Sequence, residues 1–206
     1  MIESEDEARA YCAARCDDRA MGLLERFVHA LCEENGRQNL ISKASVNHVW
    51  QRHIADSLQL VDHAPQRRAS WLDLGSGPGL PGIVIAIARP DVEMHCVESR
   101  AKRIAWLERI CVQLDLENCL VHGRQLERVE SREMDVITAR AFAPLAKLLD
   151  LSERFSTPAT VWLLPKGRSA AQELAEQPNH VRGMFHVEQS MTSADAAILV
   201  GKGRIP

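Results

Sequence analysis

The stretch Asp73-Leu74-Gly75-Ser76-Gly77-Pro78-Gly79-Leu80-Pro81-Gly82 is where this sequence carries its most specific chemistry. Glycines let a chain turn tightly and come within contact distance of a ligand, where a Cβ would collide. The loop follows a short apolar run, Trp71 to Leu74, and opens a helix, so it sits where the first crevice of a doubly wound sheet lies. Glu98 ends the next apolar run, about 20 residues on, the place of an acid that accepts hydrogen bonds from a ribose. Two ligand classes fit. Gly77, Gly79 and Gly82 match the spacing of a dinucleotide fingerprint and leave open a nicotinamide-dependent oxidoreductase. Counted from Gly75, the pattern is Asp-x-Gly-x-Gly-x-Gly, the form of an S-adenosyl-L-methionine loop. That ligand has no phosphate, and Pro78 and Pro81 lack the amide donors a phosphate would want.

The elements that must position this loop fall into two regimes. Residues 1–64 read as a helical extension. Leu24, Phe27, Val28, Leu31 and Cys32 form one stripe at helical spacing, and a second helix is expected from a Ser45 cap to about His63. A polar connector, 36–42, lies between them. Residues 65–206 alternate short apolar runs with amphipathic helices, the signature of a mostly parallel, doubly wound α/β sheet. Strands are expected at 71–74, 92–97, 119–121, 134–138, 160–164, 181–188 and 196–200, with Ser99 capping the helix after the second. The last two runs leave no room for a helix between them, so the final strand should pair antiparallel.

Composition removes several classes. The chain has 206 residues, 46% hydrophobic and 26% charged, with 25 Lys and Arg against 28 Asp and Glu, a net charge of -3. That excludes a purely electrostatic nucleic-acid binder but not a local basic face. The uncharged run from Leu74 to Ala88 is rich in Gly and Pro and too short to span a bilayer, which takes about 20 apolar residues. The first residues are acidic, unlike a signal peptide, so a cytoplasmic protein with reduced thiols is expected. The six cysteines include no CxxC pair and the eight histidines no HExxH, so no metal site is assigned.

The methyl acceptor can be narrowed by what is missing. No cysteine lies near the fourth or fifth strand to attack cytosine C5. Where an Asn/Asp-Pro-Pro-Tyr/Phe motif for adenine amines would stand, the chain reads Thr138-Ala139-Arg140-Ala141-Phe142-Ala143-Pro144. An acceptor with a free lone pair, such as guanine N7, needs positioning and no general base. No catalytic residue is therefore assigned.

Several motifs together carry a family resemblance: Asn39-Leu40, Arg52-His53-Ile54 with Asp56-Ser57, Asp73 through Ile83, Ser99, Lys102-Arg103, Arg140-Ala141-Phe142 and Lys166-Gly167. The sequence resembles the family called ribosomal RNA small subunit methyltransferase G, or glucose-inhibited division protein B. The resemblance implies a class I methyltransferase fold and transfer of methyl from S-adenosyl-L-methionine to N7 of one guanine in 16S ribosomal RNA. The substrate would be the RNA, the 30S subunit or an assembly intermediate. For the protein itself a monomer is expected. It places cofactor contacts on Gly75, Leu80, Gln125, Leu126 and Arg140, beside the loop residues Asp73, Gly77, Gly79 and Glu98. Arg140 would be the positioning group near the transfer centre. RNA-binding candidates are Arg52, His53, Lys102, Arg103 and Lys166. The chain departs from the family at Glu34, Gly36 and Ala196, where basic or aromatic residues are usual. A methyltransferase for a small molecule or a protein remains the alternative.

Overall fold

The computed structural model describes residues 1–205. Seven strands form one sheet: β1 Ser70–Leu74, β2 Glu93–Glu98, β3 Cys119–Gly123, β4 Val136–Ala139, β5 Val161–Lys166, β6 Phe185–Gln189 and β7 Ala197–Lys202. Their spatial order is β3-β2-β1-β4-β5-β7-β6. The first five pair parallel, and β7 runs antiparallel between β5 and β6. The doubly wound reading with an antiparallel last strand is thus what the chain adopts. β1 and β2 are buried almost throughout, as expected of parallel strands covered on both faces. The order reverses between β1 and β4, and that switch point opens the crevice for ligands at the carboxyl ends of the strands.

The helices are α1 Glu5–Ala13, α2 Asp18–Gln38, α3 Asp56–Leu58, α4 Gly82–Ala88, α5 Ala101–Gln113, α6 Leu145–Ser152, α7 Ala170–Ala175 and α8 Asn179–Arg182. Side chains cap the first two: Ser4 accepts from the Glu7 amide and Asp17 from the Ala20 amide. α2 buries Leu24, Phe27 and Leu31 of the expected stripe, while Val28 and Cys32 stay partly exposed. Leu24 and Phe27 share one apolar cluster with Val84 of α4 and Trp106 and Ile110 of α5. The core therefore runs across position 64 without a break.

The structure departs from the local expectations in four places. The segment 36–42 is not a polar connector. α2 runs on to Gln38 and Asn39 ends it in the left-handed region (φ 48°). Leu40 and Ile41 are buried. The helix expected from Ser45 is split into a 3₁₀ turn (Lys43–His48), a π turn (Trp50–Ala55), α3 and a second 3₁₀ turn (Gln59–His63). Glu5 of α1 accepts the Trp50 and Gln51 amides, at 3.0 and 2.8 Å, and so takes donors from the middle of the run. Ser99 does not cap α5, because the Glu98 carboxylate takes the Ser99 and Arg100 amides itself. Val181 belongs to α8, so the sixth strand starts only at Phe185.

Candidate active site

Asp73 and Glu98, the two acids singled out with the loop, hold it in shape. Asp73 is fully buried and its Oδ2 accepts the Gly82 amide at 3.1 Å, closing the loop onto α4. Burial pushes its carboxyl up to about 7. A Cβ on Gly82 would stand 2.7 Å from both Asp73 Oδ2 and Cys96 Sγ, so only glycine lets α4 start so close to the sheet. Glu98 accepts three amides: Gly77 on Oε2 (3.0 Å), Ser99 and Arg100 on Oε1 (2.7 and 2.9 Å). A carboxylate has about four acceptor positions, so roughly one remains for a ligand hydroxyl.

The loop's remaining amides decide between the two ligand classes. Ser76 donates to Val97 O, Gly79 and Leu80 to Ser76 O, and Ile83 to Gly79 O. With Gly77 and Gly82 bound to carboxylates, no cluster of free N–H groups is left to cradle a pyrophosphate. Glu98 would also repel one. The loop fits a ligand that brings hydroxyls and apolar surface and no phosphate, which is the chemistry of S-adenosylmethionine.

Two hollows meet here. The smaller, about 330 Å³, lies beside the loop and is lined by Gly75, Val97, Glu98, Arg100, Arg103, Gln125, Leu126 and Leu151, among others. The larger, about 780 Å³, is lined by Leu40, Ile41, Arg52, His53, Asp56, Arg140, Lys166, Ala196 and their neighbours. Ala141, Phe142 and Ala143 line both. Phe142 packs so tightly on Gly75 (φ 67°) that a Cβ there would be 2.6 Å from the ring. Ala141 is held at φ 52°, a conformation that costs a non-glycine residue about 1–2 kcal/mol. Backbone strain of this kind persists where surrounding structure fixes a functional wall.

The sequence-predicted residues divide between these hollows. Gly75, Glu98, Gln125 and Leu126 meet in the smaller one. Arg140 does not join them and faces the larger. Asp73, Gly77, Gly79 and Leu80 line neither: Asp73, Gly77 and Gly79 shape the loop, and Leu80 is packed into the core under α2 and α5. Arg103 lines the smaller hollow with its guanidinium 3.9 Å from Glu98. Lys102 is exposed and lines neither hollow. Lys166 is paired with Glu173 (2.8 Å) and Ala143 O (3.3 Å), so it braces the shared wall instead of offering a free cation. Arg52 is exposed at the larger hollow with no carboxylate partner among the described residues. The departures from the family also find places. Glu34 is buried and binds Arg109 at 2.7 Å, tying α2 to α5, Gly36 has open space around it, and Ala196 lines the larger hollow. Sequence reasoning did not assign Phe142, although it stands in the quoted Arg-Ala-Phe motif. It also missed Arg124 and Lys147, which line the smaller hollow without any local signal.

In the larger hollow His53, Asp56 and Glu173 each already accept hydrogen bonds. His53 is buried, with Nδ1 2.7 Å from Arg140 and Nε2 2.8 Å from Ser45 Oγ. Burial, then the cations Arg140 and Arg52, bring its pKa down to about 3, so it is neutral. Asp56 Oδ1 accepts from Gln59 and Thr192, and its Oδ2 lies 3.5 Å from Arg140. Glu173 accepts from Lys166, Ser169 and the Leu145 amide. Among the described residues, no His, Cys, Asp or Glu cluster could hold a metal.

A seven-stranded sheet of this order, with a phosphate-free glycine loop at its switch point, defines a class I S-adenosylmethionine-dependent methyltransferase. Solved structures with this fold include a methyltransferase of that kind from Aquifex aeolicus (TM-score 0.58, 10% identity, 80% of this chain and 95% of that one). Another is the fibrillarin pre-rRNA processing protein of Methanococcus jannaschii (TM-score 0.54, 14% identity, 68% of each chain). Residues 21–198 match the family rRNA small subunit methyltransferase G. The chain is 57% identical to the ribosomal RNA small subunit methyltransferase G of Erythrobacter litoralis, over 99% of each. It is 52% identical to that of Sphingopyxis alaskensis, over 88% of this chain and 78% of the relative. The chain belongs to the rRNA small subunit methyltransferase G family.

Proposed function

We propose that this protein transfers a methyl group from S-adenosylmethionine to N7 of a guanine in 16S ribosomal RNA, carried by the 30S subunit or an assembly intermediate in the cytoplasm. One observation carries the choice of acceptor atom: His53, Asp56 and Glu173, the titratable proton acceptors lining the larger hollow, each already accept hydrogen bonds from neighbouring side chains, and Asp56 and Glu173 each face a cation. An exocyclic amine or a hydroxyl acceptor would need a base to take its proton. Guanine N7 presents a lone pair and asks only to be placed in line.

S-Adenosylmethionine, when bound, supplies a methyl group activated on a sulfonium. The smaller hollow fits it: Glu98 offers its remaining acceptor position to a ribose hydroxyl, Val97, Leu126 and Leu151 offer apolar walls to the adenine, and Arg100 and Arg103 offer charge to the carboxylate. N7 of a paired guanine in folded RNA lies in a deep, narrow groove, so the base must leave its stack. Leu40, Ile41 and Phe142 give the larger hollow an apolar surface to receive it, and Arg52 stands ready for backbone phosphate.

The test uses 30S subunits, 50S subunits and free 16S RNA from a strain lacking the modification, with labelled S-adenosylmethionine. The expected result is one labelled guanine in 16S RNA that aniline cleavage identifies as N7-methylated. Label on an exocyclic amine or a ribose, or no label in any RNA, refutes the proposal.

A further inference from the structure

His53 sits in the π turn, and its ring has a partner at each nitrogen. Arg140 lies 87 residues away in sequence, yet one of its guanidinium nitrogens is 2.7 Å from Nδ1. A guanidinium only donates, so Nδ1 must accept, and the ring proton belongs to Nε2. Nε2 then donates to Ser45 Oγ at 2.8 Å, and Ser45 Oγ donates to the Ser42 carbonyl at 2.9 Å. The relay runs one way, from Arg140 through His53 and Ser45 to the backbone. Asp56 stands 3.5 Å from the other guanidinium nitrogen and is itself held by Thr192 and Gln59. Among the described residues the Arg140 guanidinium thus makes one side-chain hydrogen bond, to His53, while its buried Nη1 has no hydrogen-bond partner and faces the charge of Asp56. Arg140 opens the segment Arg140 to Ala143 that lines the larger hollow.

From this geometry we infer that His53 is a positioning residue: it fixes the Arg140 guanidinium, and with it the wall between cofactor and acceptor, and it neither contacts RNA phosphate nor takes a proton. The inference rests on the methyl-transfer reading above. It also gives the π turn a purpose. Wide turns of this kind are frequent at functional sites, and here one presents the ring inward to Ser45 and Arg140 while the neighbouring Arg52 stays exposed.

The test is a double-variant cycle on methyl transfer to 30S subunits. His53→Ala should lower kcat about 10- to 100-fold through misplacement of the wall. KM for the subunit should stay within about two-fold. His53→Asn, whose side-chain oxygen can stand near Nδ1, should recover most of the rate. His53→Gln, which reaches toward Ser45, should not. In an Arg140→Ala background, His53→Ala should change kcat by less than about two-fold, since there is nothing left to position. Ser45→Ala cuts the relay one step back. It should lower kcat in the parent and leave it unchanged with Arg140→Ala, which keeps the test available if His53→Ala fails to fold. Multiplying losses in the double variants, or a raised KM with an intact kcat, overturn the inference. Nitrogen-15 NMR of the imidazole provides a reading independent of activity. A neutral ring with its proton on Nε2, whose Nδ1 resonance moves in Arg140→Ala, supports the tie, and a proton on Nδ1 refutes it. If the parent protein labels no RNA while the NMR result holds, the functional proposal fails and the tie stands.

Discussion

Replacing Glu98 with glutamine tests whether this acid is a loop staple as well as a ribose acceptor. The carboxylate takes Gly77 on one oxygen and Ser99 and Arg100 on the other. Glutamine keeps the shape but turns one oxygen into an amide donor. In its better orientation the side-chain oxygen serves Ser99 and Arg100, and the NH₂ group confronts the Gly77 N–H. One charge-assisted bond is lost and one buried donor is left unpaired, a cost of about 1.5–3 kcal/mol. For a chain of this size, 1 kcal/mol moves Tm by about 2–4 °C, so the ligand-free variant should melt roughly 3–12 °C below the parent. The remaining acceptor also weakens, and Kd for S-adenosylhomocysteine should rise about 10-fold or more. Thermal melting without ligand and titration calorimetry read the two effects separately. An unchanged ligand-free Tm refutes the staple. A lowered Tm with an unchanged Kd moves the ribose contact away from Glu98.

Three further outcomes follow from the same contacts. Asp73 is held near 7 by burial against 3.8 in the unfolded chain, so between those values the folded state carries the extra proton and stability falls as pH rises. Asp73→Asn removes that slope. Its stability relative to the parent should improve by about 4 kcal/mol between pH 4 and pH 7.5 in urea denaturation, and a pH-independent difference refutes the buried acid. Arg103→Ala should raise the S-adenosylhomocysteine Kd about 3- to 10-fold while Lys102→Ala stays within two-fold; the reverse order would return Arg103 to the RNA face. Gly82→Ala forces a Cβ against Asp73 and Cys96 and should lower stability by about 1–3 kcal/mol, which an unshifted urea midpoint would contradict.

The glycine loop, its following acid and the alternation of strand with helix were legible in the chain because each is written in contiguous residues. A turn needs its glycines in place, and a strand buried on both faces needs an unbroken apolar run. The family resemblance is of the same kind, since short motifs keep their order whatever they pack against. What each polar side chain does was not legible. His53 and Arg103 stand among the RNA-contact candidates of the sequence, yet folding turns one inward to Arg140 and the other toward Glu98. Leu80 stands in the loop but is taken by the core under the N-terminal helices. The helix expected after Ser45 is divided because Glu5, from the other end of the extension, claims its amides. Arg140 lies 87 residues from the ring that holds it, and Thr192 lies 136 from Asp56. Spacing along a chain reports a helical turn or a strand face, a few residues in reach. Charge pairs and hydrogen-bond partners are assigned by which elements pack together, and in this protein that packing sets His53 against Arg140, Asp56 against Thr192 and Glu173 against Lys166.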